Sequence, residues 1–197
     1  MRFSLFGTKI YVSFFFAATV SFMLATDRTG LVIPTLFAVL IHETGHLFTM
    51  WVCDSAPKEI RLIPASVQII ESYPRPSKTR AVISLAGPLA NIAVGAPILI
   101  NAHLTGSQTA LKFALINGVV AAFNLLPVSG LDGGRLLLIL LCRKKELYAA
   151  MRIVNVVTAV LAVAVFFLGI FLILRGDTNL SVFIVALYLL VCAILKR

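Results

Sequence analysis

Residues Leu31 to Val52 read LVIPTLFAVLIHETGHLFTMWV. The run is long enough to cross a bilayer, which takes about 20 apolar residues. Yet it carries His42, Glu43 and His46 within it. An ionisable side chain in a span costs about 2.5–3.5 kcal/mol on insertion scales, so this cluster needs a purpose. On a helix, positions i and i+4 face the same way, so both imidazoles can bind one cation, with Glu43 beside them. His-Glu-x-x-His is the pattern of zinc hydrolases, in which the metal activates water and the glutamate handles its proton. A buried polar cluster that only packs helices is the plainer alternative.

The rest of the chain agrees with a membrane setting. Of 197 residues, 60% are hydrophobic and only 13% charged, against about a quarter charged in soluble domains. Six apolar segments read as spans: Ile10 to Thr26, Leu31 to Val52, Ala81 to Asn101, Thr109 to Leu126, Met151 to Leu174 and Leu180 to Leu195. A further apolar piece, Leu131 to Cys142, is too short to span and follows Pro127, Ser129 and Gly130. It reads as the second half of a broken helix. The N-terminal MRFSLFGTKIYVSFFFAATVSF has the look of a signal peptide. No small-residue cleavage site and soluble mature chain follow, so it reads as a retained helix.

The formal net charge of +9 would suggest nucleic acid in a soluble protein. Here the basic residues lie between apolar runs, and the positive-inside rule accounts for them without nucleic acid. With a cytoplasmic N-terminus, that side holds Arg2, Lys9, Lys58, Arg61, Arg75, Lys78, Arg80, Arg143, Lys144, Lys145, Arg152, Lys196 and Arg197. The opposite loops hold only Arg28 and Arg175. Both termini are therefore expected in the cytoplasm, and the short form and few cysteines suggest a prokaryote. Cys53, Cys142 and Cys192 follow no disulfide or metal spacing.

Lys58 to Glu71, KEIRLIPASVQIIE, is rich in Ile and Val but interrupted by Pro64 and charges. It reads as a β-hairpin or extended element at the cytoplasmic interface. Tyr73 to Lys78 is a Pro-rich turn. The expected fold class is an all-α polytopic membrane protein of about six transmembrane helices, with this short strand element after the second helix.

A zinc site needs a third protein ligand and an open position. His103 is the one remaining histidine and falls in a loop on the non-cytoplasmic side, poorly placed. Asp132 stands out in Leu131-Asp132-Gly133-Gly134, at the break in the fourth span. Glycines there allow the backbone to leave the helix and approach another helix closely. Counting back from Cys53, His42 and His46 lie roughly 10–16 Å from the cytoplasmic edge, and Asp132 roughly 16 Å by the same count from Arg143. A Gly-rich turn capped by Asp132 is the competing reading. Asn124 could donate to a substrate carbonyl or oxyanion, or could bond the freed backbone instead. Arg135 could snorkel to the interface or pair with a nearby polar group.

These residues resemble the site-2 protease family of intramembrane zinc metalloproteases, peptidase family M50, and its sporulation factor IVFB-like branch in particular. The family's His-Glu-x-x-His is matched by His42, Glu43 and His46. Its N-x-x-P-x-x-x-L-D-G is matched by Asn124, Pro127, Leu131, Asp132 and Gly133. A G-P-x-x-N stretch appears as Gly87, Pro88 and Asn91. The strand before the first span, E-I-R-L-I-P after the second and F-N-L-L-P before the aspartate also look similar. Departures are Ser129 and Gly130 where many relatives have a second proline, and Pro64-Ala65-Ser66-Val67 in place of a P-F-G-G turn. No CBS or PDZ domain is read, so residues 1–197 are expected to form one transmembrane metalloprotease domain.

The resemblance implies one Zn2+ per chain held by His42, His46 and Asp132, with Glu43 catalytic and Asn124 touching substrate. The implied partners are the lipid bilayer, a transmembrane or membrane-tethered protein substrate, and a regulatory membrane partner or a second copy. Two rivals belong to other classes: a membrane metal-ion transporter and a catalytically inactive scaffold.

Overall fold

The computed structural model describes residues 2–5, 8–54, 57–63, 66–71 and 76–175. The chain divides into two compact units, Met1–Phe123 and Asn124–Arg197.

The first unit opens with strands β1 (Arg2–Leu5) and β2 (Thr8–Val12), followed by helices α1 (Phe14–Thr26) and α2 (Val32–Val52). Strands β3 (Pro57–Ile63) and β4 (Ser66–Glu71) come next, then helices α3 (Ser77–Thr105) and α4 (Gln108–Asn124). The strands form one four-stranded sheet in chain order. β1 and β2 are antiparallel, as are β3 and β4. β2 and β3 run parallel, with Lys9 opposite Glu59 and Val12 opposite Leu62. Parallel neighbours need a crossover connection, and here α1 and α2 supply it. The helix pair leaves the sheet after Val12 and comes back to it at Pro57. Arg61 donates from Nε to Glu59 at 3.0 Å, and this pairing raises its pKa above the ordinary arginine value.

The sequence expectation of a hairpin after the second span therefore holds for β3 and β4, but the sheet is larger. The N-terminal segment adds two strands to it, so the fold is mostly helical rather than all-α. For the same reason the first apolar segment does not start as a helix. Ile10 to Val12 pair in the sheet, and α1 covers only Phe14–Thr26. β-branched and aromatic residues such as Ile10, Tyr11 and Val12 fit a pleated strand well. The expected sixth span, Leu180 to Leu195, and the turn at 72–75 lie outside the described residues.

Among the described residues three helices are long and apolar enough to cross a membrane: Val32–Val52, Ser77–Thr105 and Leu147–Phe171. Large apolar side chains such as Phe14, Phe22, Phe37, Phe48, Trp51 and Leu104 lie exposed on the outside. In water such a surface would be a liability; in lipid it is the favourable one.

α2 and α3 pack closely because small residues line their contact. Gly45 turns its bare side to α3, where a Cβ would lie 2.6 Å from the Ala86 carbonyl oxygen and 2.7 Å from Ala90 Cβ. Small residues at such contacts let two helix backbones approach.

The turn into α2 is built by Asp27. One carboxylate oxygen accepts from the backbone N–H groups of Thr29 and Gly30, each at 2.9 Å, and from the Thr29 hydroxyl at 2.8 Å. The other accepts from Val32 N–H at 3.0 Å and so caps the first turn of α2. These donors, Val32 N–H first, hold the carboxyl pKa down to about 2. A depressed carboxylate pKa stabilises the folded loop above the ordinary value near 4, and the contribution fades as pH falls towards 2.

The second unit carries helices α5 (Asp132–Leu141) and α6 (Leu147–Leu174), preceded by a loop at 125–131. α5 is a short helix separated from α4 by that loop, as the broken-span reading expects. Substituting Asp27→Ala should remove hydrogen-exchange protection at the amides of Thr29, Gly30 and Val32. The wild-type amides should keep it at pH 5, and equal protection in both proteins would refute the cap.

Candidate functional site

α2 places His42 and His46 on the face it turns to α3, and both are buried. Their rings meet edge to face, with centroids 4.8 Å apart. Each Nδ1 lies against an oxygen. His42 Nδ1 is 2.8 Å from Asn91 Oδ1, and His46 Nδ1 is 2.7 Å from the Ile83 carbonyl oxygen. A carbonyl oxygen only accepts, so each Nδ1 carries the proton and donates it. Both Nε2 atoms then present lone pairs, and they sit 3.2 Å apart.

Two lone pairs held so close repel unless a cation lies on both. Two nitrogens bonded to one tetrahedral zinc at about 2.0–2.1 Å stand roughly 3.3 Å apart. The donor set and its spacing therefore fit a metal ion. α3 leaves room for it at Gly87. A Cβ there would strike His46 Nε2 and lie 2.7 Å from His42 Nε2. Glu43 follows His42 directly on α2 and is half-buried.

The second unit holds the other candidates at the two ends of the 125–131 loop. Asn124 is the last residue of α4 and is half-buried. Asp132 is the first residue of α5 and is buried. The loop between them is closed by its own backbone. Val128 N–H donates to the Leu126 carbonyl at 2.7 Å, and Leu131 N–H to the Val128 carbonyl at 3.0 Å. Val128 is fully buried.

The glycines after Asp132 serve the loop, not a neighbouring helix as the sequence suggested. A Cβ on Gly133 would strike the Leu125 carbonyl, and one on Gly134 the Val128 carbonyl. The first turn of α5 is thus folded tightly against the segment that precedes it. Arg135 Nη1 lies 3.6 Å from Asp132 Oδ1, so of the two roles open to it the arginine faces the aspartate itself.

Two polar residues bear on this arrangement that sequence reasoning passed over. Thr158 of α6 is fully buried, donates to the Val154 carbonyl at 2.8 Å and accepts from Ser129 N–H at 2.8 Å. It ties the loop before Asp132 to α6. Asn117 of α4 is also fully buried. The signal that could have found both is the same one that exposed His42: a polar side chain inside an apolar run.

The model of peptidase family M50 matches residues 101–168, which hold Asn124 and Asp132. Stage IV sporulation protein FB of Bacillus subtilis is 30% identical over 149 residues, covering 74% of this chain and 52% of that protein. A zinc metalloprotease of Methanocaldococcus jannaschii is 29% identical over 113 residues, covering 54% of this chain and 33% of that protein. Over these residues the chain is similar to peptidase family M50. It spans between a third and about half of the length of these curated relatives. The solved site-2 protease of Methanocaldococcus jannaschii superposes with a TM-score of 0.73 at 22% identity, covering 98% of this chain and 93% of that one. The chain therefore shares the fold of that protease.

Gly87→Ala should place a methyl group on both Nε2 atoms. Bound zinc, measured by elemental analysis, should fall well below that of the wild type while far-UV circular dichroism stays the same. Thr158→Val leaves the Ser129 N–H without its acceptor and should lower stability by about 1 kcal/mol. Thr158→Ser should restore it, and thermal unfolding in detergent distinguishes the two.

Proposed function

We propose that this chain is an intramembrane zinc metalloprotease that hydrolyses peptide bonds of transmembrane or membrane-tethered protein substrates. The observation that carries the reading is the pair of Nε2 atoms 3.2 Å apart, with both Nδ1 atoms engaged by oxygens and a glutamate next in sequence. The match to peptidase family M50 and the zinc metalloprotease among the relatives support it.

We assign His42, His46 and Asp132, each of them buried, as the ligands of one zinc per chain. Zinc when bound supplies Lewis-acid activation of water and of the scissile carbonyl. The other work falls to the chain itself. Glu43 takes the proton of the attacking water and passes it to the leaving amine. Asn124 donates its amide N–H to the substrate carbonyl as charge builds on the oxygen. Arg135 balances the carboxylate of Asp132.

The fold is read as about six transmembrane helices with both termini on the cytoplasmic side, on the Lys and Arg distribution. A substrate helix must unwind before its carbonyls can be attacked. β4 closes the sheet and has a neighbour on one side only among the described strands. An unwound substrate segment can add there as a further strand, its backbone paired by main-chain hydrogen bonds.

Glu43→Gln tests the reading in the full chain reconstituted with a membrane-protein substrate. Cleavage should fall by about 10²–10⁴-fold, the usual worth of a general base, with zinc retained near one per chain. Undiminished cleavage would remove Glu43 from the chemistry. Zinc transport that survives the substitution, with no cleavage by the wild type, would favour the transporter.

A further inference from the structure

The tautomer of His42 is decided by the amide orientation of Asn91, and that orientation is itself held in place. Asn91 is fully buried. Its Nδ2 donates twice, to the Ala38 carbonyl at 2.8 Å and to Asn117 Oδ1 at 2.9 Å. Both amide protons are thereby used on oxygens, and Oδ1 is left to face His42 Nδ1. Asn117 is oriented in turn. Its Nδ2 donates to the Phe113 carbonyl at 2.9 Å, so its oxygen must face Asn91. An unbroken line of donors and acceptors therefore runs from the backbone of α4 through two fully buried amides to the imidazole. Flipping either amide would set oxygen against oxygen at 2.8–2.9 Å.

α4 reaches this line because α3 carries no side chain where the two meet. A Cβ on Gly95 would lie 3.1 Å from Asn117 Cβ.

We infer that Asn91 and Asn117 form a relay through which α4 fixes His42 as its Nδ1–H tautomer and so presents Nε2 to a metal ion. Both are positioning residues, since neither reaches the reacting atoms. The inference rests on the proposed assignment of His42 as a zinc ligand, but its first readout does not need the metal. Partners of this kind, removed from a ligating histidine, typically change metal affinity by about 10–100-fold.

The test uses the full chain in detergent as wild type, Asn117→Ala and Asn117→Asp. A fully buried aspartate at 117 is held in its neutral acid form by desolvation, so it accepts from Asn91 Nδ2 on one oxygen and donates its proton to the Phe113 carbonyl from the other, whereas alanine removes both bonds. Two quantities are measured. The first is the ¹⁵N shift pattern of the imidazoles in metal-free protein, which distinguishes the tautomers; with three histidines in the chain it is readily assigned. The second is zinc affinity by competition with a chromophoric chelator.

The expected result is the Nδ1–H form of His42 in the wild type and in Asn117→Asp, and a mixture of tautomers in Asn117→Ala. Zinc affinity should fall about 10-fold or more in Asn117→Ala and be restored in Asn117→Asp. The relay is overturned if Asn117→Ala keeps the wild-type tautomer and affinity, or if Asn117→Asp is as impaired as alanine. Wild-type protein that binds no zinc would sink the proposed hydrolase while the tautomer measurement still judges the relay.

Discussion

A polar atom carried into an apolar span must find its partner inside the protein, because lipid offers none. His42 and His46 meet this constraint at one nitrogen each, through Asn91 Oδ1 and the Ile83 carbonyl. Satisfying Nδ1 in this way fixes what Nε2 can be. With the ring proton spent on an oxygen, the other nitrogen is an acceptor with its lone pair open to a cation. The hydrogen bonds that allow the histidines to be buried are thus the same ones that prepare them for a cation. Packing follows from this. α3 must come close enough for Asn91 and Ile83 to reach the rings, and Gly45 and Gly87 permit that approach on either side of the contact.

The second unit solves a related problem with backbone instead of side chains. Between α4 and α5 the chain leaves its helix, and the freed N–H and C=O groups need partners. The 125–131 loop supplies several of them itself and borrows one from Thr158. The result is a hydrogen-bonded lead into Asp132. Gly133 and Gly134 are the condition for it, since any side chain there would strike the loop's own carbonyls.

Much of this could be read before any coordinates. The i, i+4 spacing of His42 and His46 and the position of Asp132 at a Gly-rich break marked the candidate residues, and all three are buried. The long apolar runs gave α2, α3 and α6 nearly to their ends, because length and hydropathy are robust signals. What stayed hidden depends on partners distant in sequence. Ile10 to Val12 read as the start of a span because nothing local announces that β3, some 50 residues on, will pair with them. Asn91 was visible only as part of a motif with no role attached. Asn117 and Thr158 drew no notice, since a lone Asn or Thr in an apolar run gains meaning only when its acceptor is known. Gly133 and Gly134 were rightly singled out, but which backbone they approach could not be told from spacing.

The buried amides also bear on what the network is for. A buried hydrogen bond adds little net stability, commonly about 1 kcal/mol, because the unfolded groups are solvated too. Replacing a satisfied polar pair with apolar side chains of the same shape is often nearly neutral. Stability alone therefore gives no reason to place two asparagines at full burial between α2 and α4. Geometry does. An apolar residue at position 91 could pack as well but would leave the His42 ring free to rotate and to exchange its proton between nitrogens. The directional constraint, more than the energy, is what the amides contribute, and that contribution is felt where the Nε2 lone pair must point at a fixed place.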